Sequence, residues 1–523
     1  MAAMSSRPNI LLITSDQQHY STLGCINAAI RTPALDRLAA EGMRFDRAYC
    51  PNPLCSPSRA SILTGQYPAW HGCWTLGTKL DEQAPTIAGM LTEAGYATHK
   101  IGKAHLQPLR SDPNQTSLEC QPTLRDLDFW RRFTGPWYGF ERIELARNHG
   151  DEAHVGQHYA AWMEDKGLTN WREYFQPLPG EAPGRYCPPA PPRPDRYFDR
   201  SNRSWKLPEE FHYSVWTAER SIANIDQALA EDRPFFTWAS FHDPHPPYIV
   251  PEPWASMYNP DEMELPPFDP AEFDDMPPAH RETLKPHGKA DFSPWQETSH
   301  GNHGFHSHEH DPESLKRDMA CYYAMTSLMD AQIGRILEAL DARGVADNTL
   351  VLFTTDHGHF IGQHGLIAKG AFHYEDLLKL PYLVRWPGRV PAGRTSEAMQ
   401  SLVDLAPSFA AAAGLEVPGR MQGVNQLDVW QGRASAARDW AICENRHQPT
   451  KLHLRTFITD RYKITVYRGE RYGELFDLVE DPGETRNLWD DPAHREVRAE
   501  LFRHFLDAEL QREPTPYPRI CGA

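Results

Sequence analysis

The chain has 523 residues, 53 Lys and Arg against 70 Asp and Glu, and a formal net charge of −17 at pH 7. Length alone suggests about three domains and a sizeable core, while the acidic balance repels nucleic acid and anionic membranes, so neither is expected as a partner. Nine unevenly spaced cysteines, an odd number in so long a chain, exclude a disulfide framework and point to reduced thiols. Residues 1–8 carry no apolar core for a signal peptide, and no run approaches the roughly 18 apolar residues of a membrane span, so a cytoplasmic protein is expected.

Residues 9–15 form an apolar run of the buried parallel-strand kind that ends on Asp16 and Gln17. Thr32, Pro33 and Gly42 then mark a helix over 33–41, with Thr32 as N-cap and Gly42 as the stop. In Pro53-Leu54-Cys55-Ser56-Pro57-Ser58-Arg59, Pro57 fits a first helical turn and Gly65 a left-handed end. Cys55 would sit at the helix mouth, where exposed N–H groups favour anions, with Arg59 one turn along near the same side. That brings a nucleophile beside an anion clamp; the plainer reading is a buried cysteine next to a capped helix. A thiol phosphatase would need Cys and Arg about six positions apart around a phosphate-cradling loop, and this pair is closer.

A helix over 86–93, stopped by Gly95, leads to Lys103 and His105, which face the same side if the extended conformation persists. Residues 106–210 are rich in Trp, Tyr, Pro and Arg and read as an insertion. Its Trp130, Trp137, Tyr138, Trp162 and Trp171 make either a lid over the pocket or aromatic core. A helix over 211–229 precedes a buried strand at 234–241, which delivers His242, Asp243 and His245. Residues 251–312 read as a second insertion, in which His300, His303, His306, His308 and His310 suit a polar loop better than a defined metal site.

A long helix over 312–343, stopped by Gly344, is followed by a second buried strand at 349–355 that ends on Asp356 and His357. The two strand ends therefore offer Asp16, Gln17, Asp356 and His357, mostly oxygen ligands suited to one hard divalent ion. Lys369 and Glu375 follow the Gly362-Gln363-His364-Gly365 turn, and a helix is expected over 404–414. Strand-like runs at 440–443, 456–458, 462–467 and 474–478 predict a smaller antiparallel sheet. The tail 514–523 has no core of its own and is expected to pack on a neighbouring subunit, making a homo-oligomer the expected assembly.

Cys55-x-Pro57-x-Arg59, with Leu63-Thr64-Gly65 after it, resembles the Cys-x-Pro-x-Arg signature of type I sulfatases in the alkaline phosphatase superfamily. Matches to the family run from Asn9 to about Leu488 and include Lys103-x-His105, the Pro-His-x-Pro-Tyr stretch that holds His245, the 362–365 turn with Lys369, and the run at 474–478. The resemblance implies an α/β fold with a large mixed sheet flanked by helices over 1–435, and a smaller C-terminal unit over 436–523. It further implies that a maturation enzyme converts Cys55 to formylglycine, and that one divalent ion, calcium or else manganese, is held by Asp16, Gln17, position 55, Asp356 and His357.

In that reading the hydrated aldehyde at position 55 attacks sulfur, and Arg59, Lys103 and Lys369 share the developing charge. His245 protonates the departing alcohol, with His242 as the alternative, and His105 serves the remaining hydroxyl as sulfate is expelled. The implied substrate is a small-molecule sulfate monoester. Many sulfatases pair Asp-Asp with Asp-Asn at the metal, whereas Asp16-Gln17 with Asp356-His357 also occurs in phosphonate monoester hydrolases. Phosphonate monoesters and phosphate diesters are therefore the alternative substrates, and a non-catalytic anion-binding relative is a third reading.

Overall fold

The apolar run at the start of the chain becomes the strand around which the large sheet is built. The computed structural model describes residues 7–182, 184–187, 203–286, 289–295, 310–446, 451–515, 517 and 519–521. His300, His303, His306, His308 and the proline-dense stretch 188–194 lie outside the described residues. The strands of the large sheet are β1 (Asn9–Ser15), β2 (Met43–Phe45), β3 (Ala97–Gly102), β4 (Arg142–Leu145), β5 (Phe235–Ser240), β6 (Thr349–Thr355), β7 (Tyr382–Arg385) and β8 (Arg394–Ser396). Their order is β8-β2-β7-β6-β1-β5-β3-β4. β6, β1, β5, β3 and β4 run parallel, whereas β7 runs antiparallel to β6 and β2.

The sheet is sandwiched by α1 (Pro33–Glu41), α2 (Cys55–Thr64), α3 (Ile87–Glu93), α4 (Tyr213–Ala230), α5 (Pro312–Ala342) and α6 (Leu405–Ala412). Successive side chains of a strand point to opposite faces, and β1 divides accordingly. Leu11 and Ile13 pack with Leu35, Leu38, Ile225, Met329 and Ile333 of α1, α4 and α5. Ile10 and Leu12 belong to the cluster on the other face, with Ile62 and Leu63 of α2, Ile87 and Leu91 of α3, and Phe409 of α6. Burial on both faces is why these strands are continuous apolar runs.

A second sheet, β9 (Ala441–Arg446), β10 (His453–Ile458), β11 (Tyr462–Tyr467) and β12 (Gly473–Asp477), is antiparallel throughout and carries α7 (Arg495–Gln511) on one face. This is the mixed α/β sheet with a smaller antiparallel unit that the sequence predicts. Among the described residues no helix is long and apolar enough to cross a membrane. Within 106–210, β4 forms the edge of the large sheet, and Trp130, Trp137, Tyr138 and Trp171 are buried. Trp171 shares a cluster with Tyr159, Phe175, Trp205 and Trp216, so its role is aromatic core.

One local expectation changes. Thr32 makes no capping bond to α1. Its hydroxyl instead donates to Asp36 (3.1 Å), and the open N–H groups of Ala34 and Leu35 donate to Asp330 of α5 at 3.0 and 2.8 Å. Gly42 ends α1 as its sequence predicts, with φ −138°, and a Cβ there would lie 2.2 Å from the Val384 carbonyl oxygen. Replacing Asp330 by Ala leaves one buried and one part-buried helix-start donor without acceptors, and should lower stability by about 1–3 kcal/mol. Urea unfolding of Asp330→Ala measures this, and Asp330→Asn, which keeps one acceptor, should lose less.

Candidate active site

Parallel register fixes where the chemistry gathers. Ser15 lies opposite Thr355, Thr14 and Gly102 both lie opposite Ser240, and Gly102 also lies opposite Leu145. The residues that leave these strands, Asp16-Gln17, Asp356-His357, His242 to His245, Lys103 to His105, and Arg147 to His149, therefore emerge at one edge. That is the ligand-binding edge of an α/β sheet. α2 starts at Cys55, after an extended Leu54, and ends at left-handed Gly65 as its sequence predicts.

The Cys55 sulfur lies 3.2 Å from His357 Nε2, 3.3 Å from Lys369 Nζ and 3.6 Å from Asp16 Oδ1. Burial would push this thiol up, but Lys103 and Lys369 outweigh it and bring it down to about 6. Arg59 is fully buried; its Nε donates to Asp356 Oδ2 (2.8 Å) and its Nη1 to the Ser240 hydroxyl (2.7 Å) and the Lys103 carbonyl (3.2 Å). Lys103 pairs with Asp16 Oδ2. Burial raises the Asp16 carboxyl, yet Lys103, His245, His149 and Arg59 together hold it well below the usual carboxylate range.

The extended conformation does not persist through Lys103 and His105. β3 stops at Gly102, whose φ of +91° and position, 1.9 Å from the Ser240 carbonyl oxygen to a would-be Cβ, admit no other residue, and His105 is itself left-handed at φ +55°. The turn directs Lys103 to Asp16. His105 Nδ1 is buried without a hydrogen-bond partner, and burial, with Arg147 and Lys103 nearby, holds this imidazole well below its ordinary value. Lys100 Nζ supports the same turn by donating to the Lys103 carbonyl at 2.6 Å.

His245 and His242 separate cleanly. His245 Nε2 lies 3.5 Å from Lys369 Nζ and its ring stacks on His149, whereas His242 Nε2 is turned to the Ala146 carbonyl at 3.0 Å. His359 holds the Gln17 side chain (2.8 Å) and stacks on Tyr322, and His364 bonds Glu272 at 2.9 Å, so both act as supports.

The donor set fits a divalent cation. Asp16, Cys55, Asp356 and His357 present ligand atoms all within 4.8 Å of one another. His357 Nδ1 donates to the Gly358 carbonyl (2.9 Å), which leaves Nε2 facing the centre. Gln17, left-handed at φ +60°, donates its N–H to Asp356 Oδ1 (3.0 Å), and its side-chain oxygen is buried with no hydrogen-bond partner. Oxygen-rich donors of this kind suit a hard ion. Asp16, His149 and His245 form a second close trio, which shares Asp16 with the first set.

Sequence reasoning missed Arg147 and His149. His149 Nε2 lies 3.3 Å from Asp16 Oδ2, while its Nδ1 and N–H both meet Glu152 Oε2 at 3.0 Å. The available signal was the alternation at Arg142-Ile143-Glu144-Leu145, a half-buried strand followed by basic residues.

Two buried carboxylates, three buried cations and a thiol at a helix mouth, gathered on a parallel-sheet edge, make a site suited to anionic ester chemistry. The chain matches the family model described as Sulfatase over residues 8–415 and that described as N-sulphoglucosamine sulphohydrolase, C-terminal, over 362–511; it belongs to the sulfatase family. It is 29% identical over 529 residues to an arylsulfatase of Clostridium perfringens, covering 98% of this chain and 96% of that protein. With an N-acetylglucosamine-6-O-sulfatase of Bacteroides thetaiotaomicron it shares 27% identity over 536 residues, 97% of this chain and 87% of the other. Among solved structures it is similar to the phosphonate monoester hydrolase of Agrobacterium radiobacter, with a TM-score of 0.75, 26% identity, and 98% and 97% of the two chains covered.

Substituting Gly102 tests whether this edge depends on the close strand approach. Gly102→Ala drives a Cβ into the Ser240 carbonyl and should lower stability by about 1–3 kcal/mol and turnover at least tenfold. Thermal unfolding and steady-state rates check both; an unchanged rate in a stable variant would contradict the account.

Proposed function

We propose that the protein is a formylglycine- and metal-dependent hydrolase of small-molecule sulfate monoesters, releasing an alcohol or phenol and sulfate. The observation that carries this reading is the position of Cys55, at a helix N-terminus with Lys369, His357 and Asp16 all within 3.6 Å of its sulfur. A formylglycine at that position would supply, as its hydrate, one hydroxyl to attack sulfur and a second through which sulfate is released. A divalent ion, calcium or manganese, held by Asp16, Gln17, position 55, Asp356 and His357 would polarise a sulfate oxygen and lower the pKa of a nearby hydroxyl.

The chain's own residues do the rest. Lys103, Lys369 and Arg59 offset the charge that develops on the sulfate oxygens, in a site dry enough to make each worth more than in water. His245 Nε2, 3.5 Å from Lys369 Nζ, is placed to pass a proton to the departing alkoxide, while burial, with His149 next to it, lowers its pKa and disfavours the imidazolium between turnovers. His105, neutral for the same physical reason, receives the proton of the second hydroxyl. The catalytic unit spans 1–435 and the smaller one 436–523, and we assign the chain to the cytoplasm, where a formylglycine-generating enzyme must reach it before folding buries Cys55. The exposed Tyr517 and Ile520 of the tail suit packing against a second subunit of a homo-oligomer.

A phosphonate monoester or phosphate diester is the second reading. It is favoured by Gln17 and His357 at the metal position and by the likeness to the Agrobacterium phosphonate monoester hydrolase. Both reactions present a tetrahedral oxyanion to the same cations. Peptide mass spectrometry of the Cys55 fragment, from protein expressed with its maturation enzyme, should find an aldehyde in place of the thiol. An unmodified thiol in active protein would overturn the proposed nucleophile, and in inactive protein it would favour anion binding without turnover. Steady-state rates on an aryl sulfate should exceed those on an aryl phosphonate monoester; the reverse order selects the second reading. Chelation should abolish turnover, and added calcium or manganese should restore it.

A further inference from the structure

Both faces of the C-terminal sheet are buried. Ile442, Phe457, Ile464 and Leu475 point to one face and pack with Leu501 and Phe505 of α7. Cys443, Asn445, Thr456, Lys463, Thr465 and Glu474 alternate with them, and this polar face is buried rather than solvated. What covers it is the segment that follows Lys369: Ala371, Phe372, Tyr374 and Leu377 share a cluster with Leu454, Tyr467 and Phe476 of the sheet.

Within that apolar contact sit two polar anchors. His373 Nδ1 meets the Thr456 hydroxyl at 2.6 Å and its Nε2 meets the Asn445 amide at 3.2 Å, while Thr456 and Thr465 bond each other at 2.8 Å. Two residues on, the Glu375 N–H donates to Glu484 Oε2 (2.6 Å), and Lys463 pairs with Glu484 and lies 3.6 Å from Glu375 Oε1. Tyr49 closes the set by donating to Glu375 Oε2 at 3.0 Å. The backbone just before Lys369 needs such support. Ala368 stands at φ +63° and His364 at φ +55°, a left-handed region that residues with a Cβ hold only when their surroundings impose it.

We propose that the buried polar face of the C-terminal sheet positions Lys369, with Thr456 and Lys463 acting through His373 and Glu375. The role rests on the reading of Lys369 as a group that shares substrate charge. Thr456 and Lys463 are positioning residues, since neither reaches Cys55. Burying a charged pair and a hydroxyl ladder between two packed units contributes little net stability over an apolar contact, but it selects one register of the loop.

The test is Thr456→Val, which keeps the β-branched shape and removes the hydroxyl. Its kcat/KM should fall about three- to tenfold, the worth of one hydrogen bond. On a Lys369→Ala background the same substitution should cause no further loss, because it acts through a lysine no longer present. Thr456→Ser should restore the rate. Amide hydrogen exchange should quicken over 369–375 in Thr456→Val and stay unchanged in the sheet. An equal loss on both backgrounds, or unchanged exchange over 369–375, would reduce the network to simple adhesion and overturn the proposal. If the wild-type protein hydrolyses no ester, the proposed function falls, and the exchange measurement alone still decides the positioning role. Should Thr456→Val fail to fold, Glu375→Gln loosens the Lys463 anchor from the loop side and is read by the same measurements.

Discussion

Asp16 and Asp356 are fully buried carboxylates, and everything at the sheet edge follows from the need to keep them ionised there. An isolated buried carboxylate takes up a proton instead, so each must meet a cation held in place by something else. Lys103 answers Asp16, and Arg59 answers Asp356 while anchoring itself on Ser240 and the Lys103 carbonyl. Losing either cation would strand a buried charge, at about 3–5 kcal/mol. The parallel register of β1, β3, β5 and β6, the absence of a Cβ at Gly102 and the placement of α2 over the edge are all conditions for this pairing.

The same pairing prepares the site for oxyanion chemistry. Carboxylate oxygens left facing Cys55 and His357 could hold a cation, while Lys369 and the α2 N-terminus favour negative charge a few ångströms away. A tetrahedral oxyanion bridging the two regions would meet fixed charge on both sides without reorganisation of the protein, which is where electrostatic catalysis has its largest effect.

Local sequence made the buried strands and their acidic ends legible, because a strand covered on both faces must be a continuous apolar run and its polar exit stands out. The helix mouth at Cys55 was legible for a similar reason: Pro57 and Gly65 act within one helix. What escaped was set by distant atoms. The turn after Lys103 depends on the carbonyl of Ser240, and the cap of α1 comes from Asp330 rather than Thr32. β4, which brings in Arg147 and His149, is four residues long inside a stretch whose composition reads as irregular.

Lys369 differs in kind from the other charged groups of the site. Asp16, Lys103 and Asp356 directly follow strands whose ladders fix where they leave the sheet. Lys369 follows a two-stranded hairpin, Phe360–Ile361 with Ile367–Ala368, too short to be rigid by itself. Its aim has to come from what packs on the far side, and the far side is the C-terminal sheet. The match to the C-terminal family model begins at residue 362, before Lys369, and overlaps the first model's match there, so the loop lies where the two matches meet.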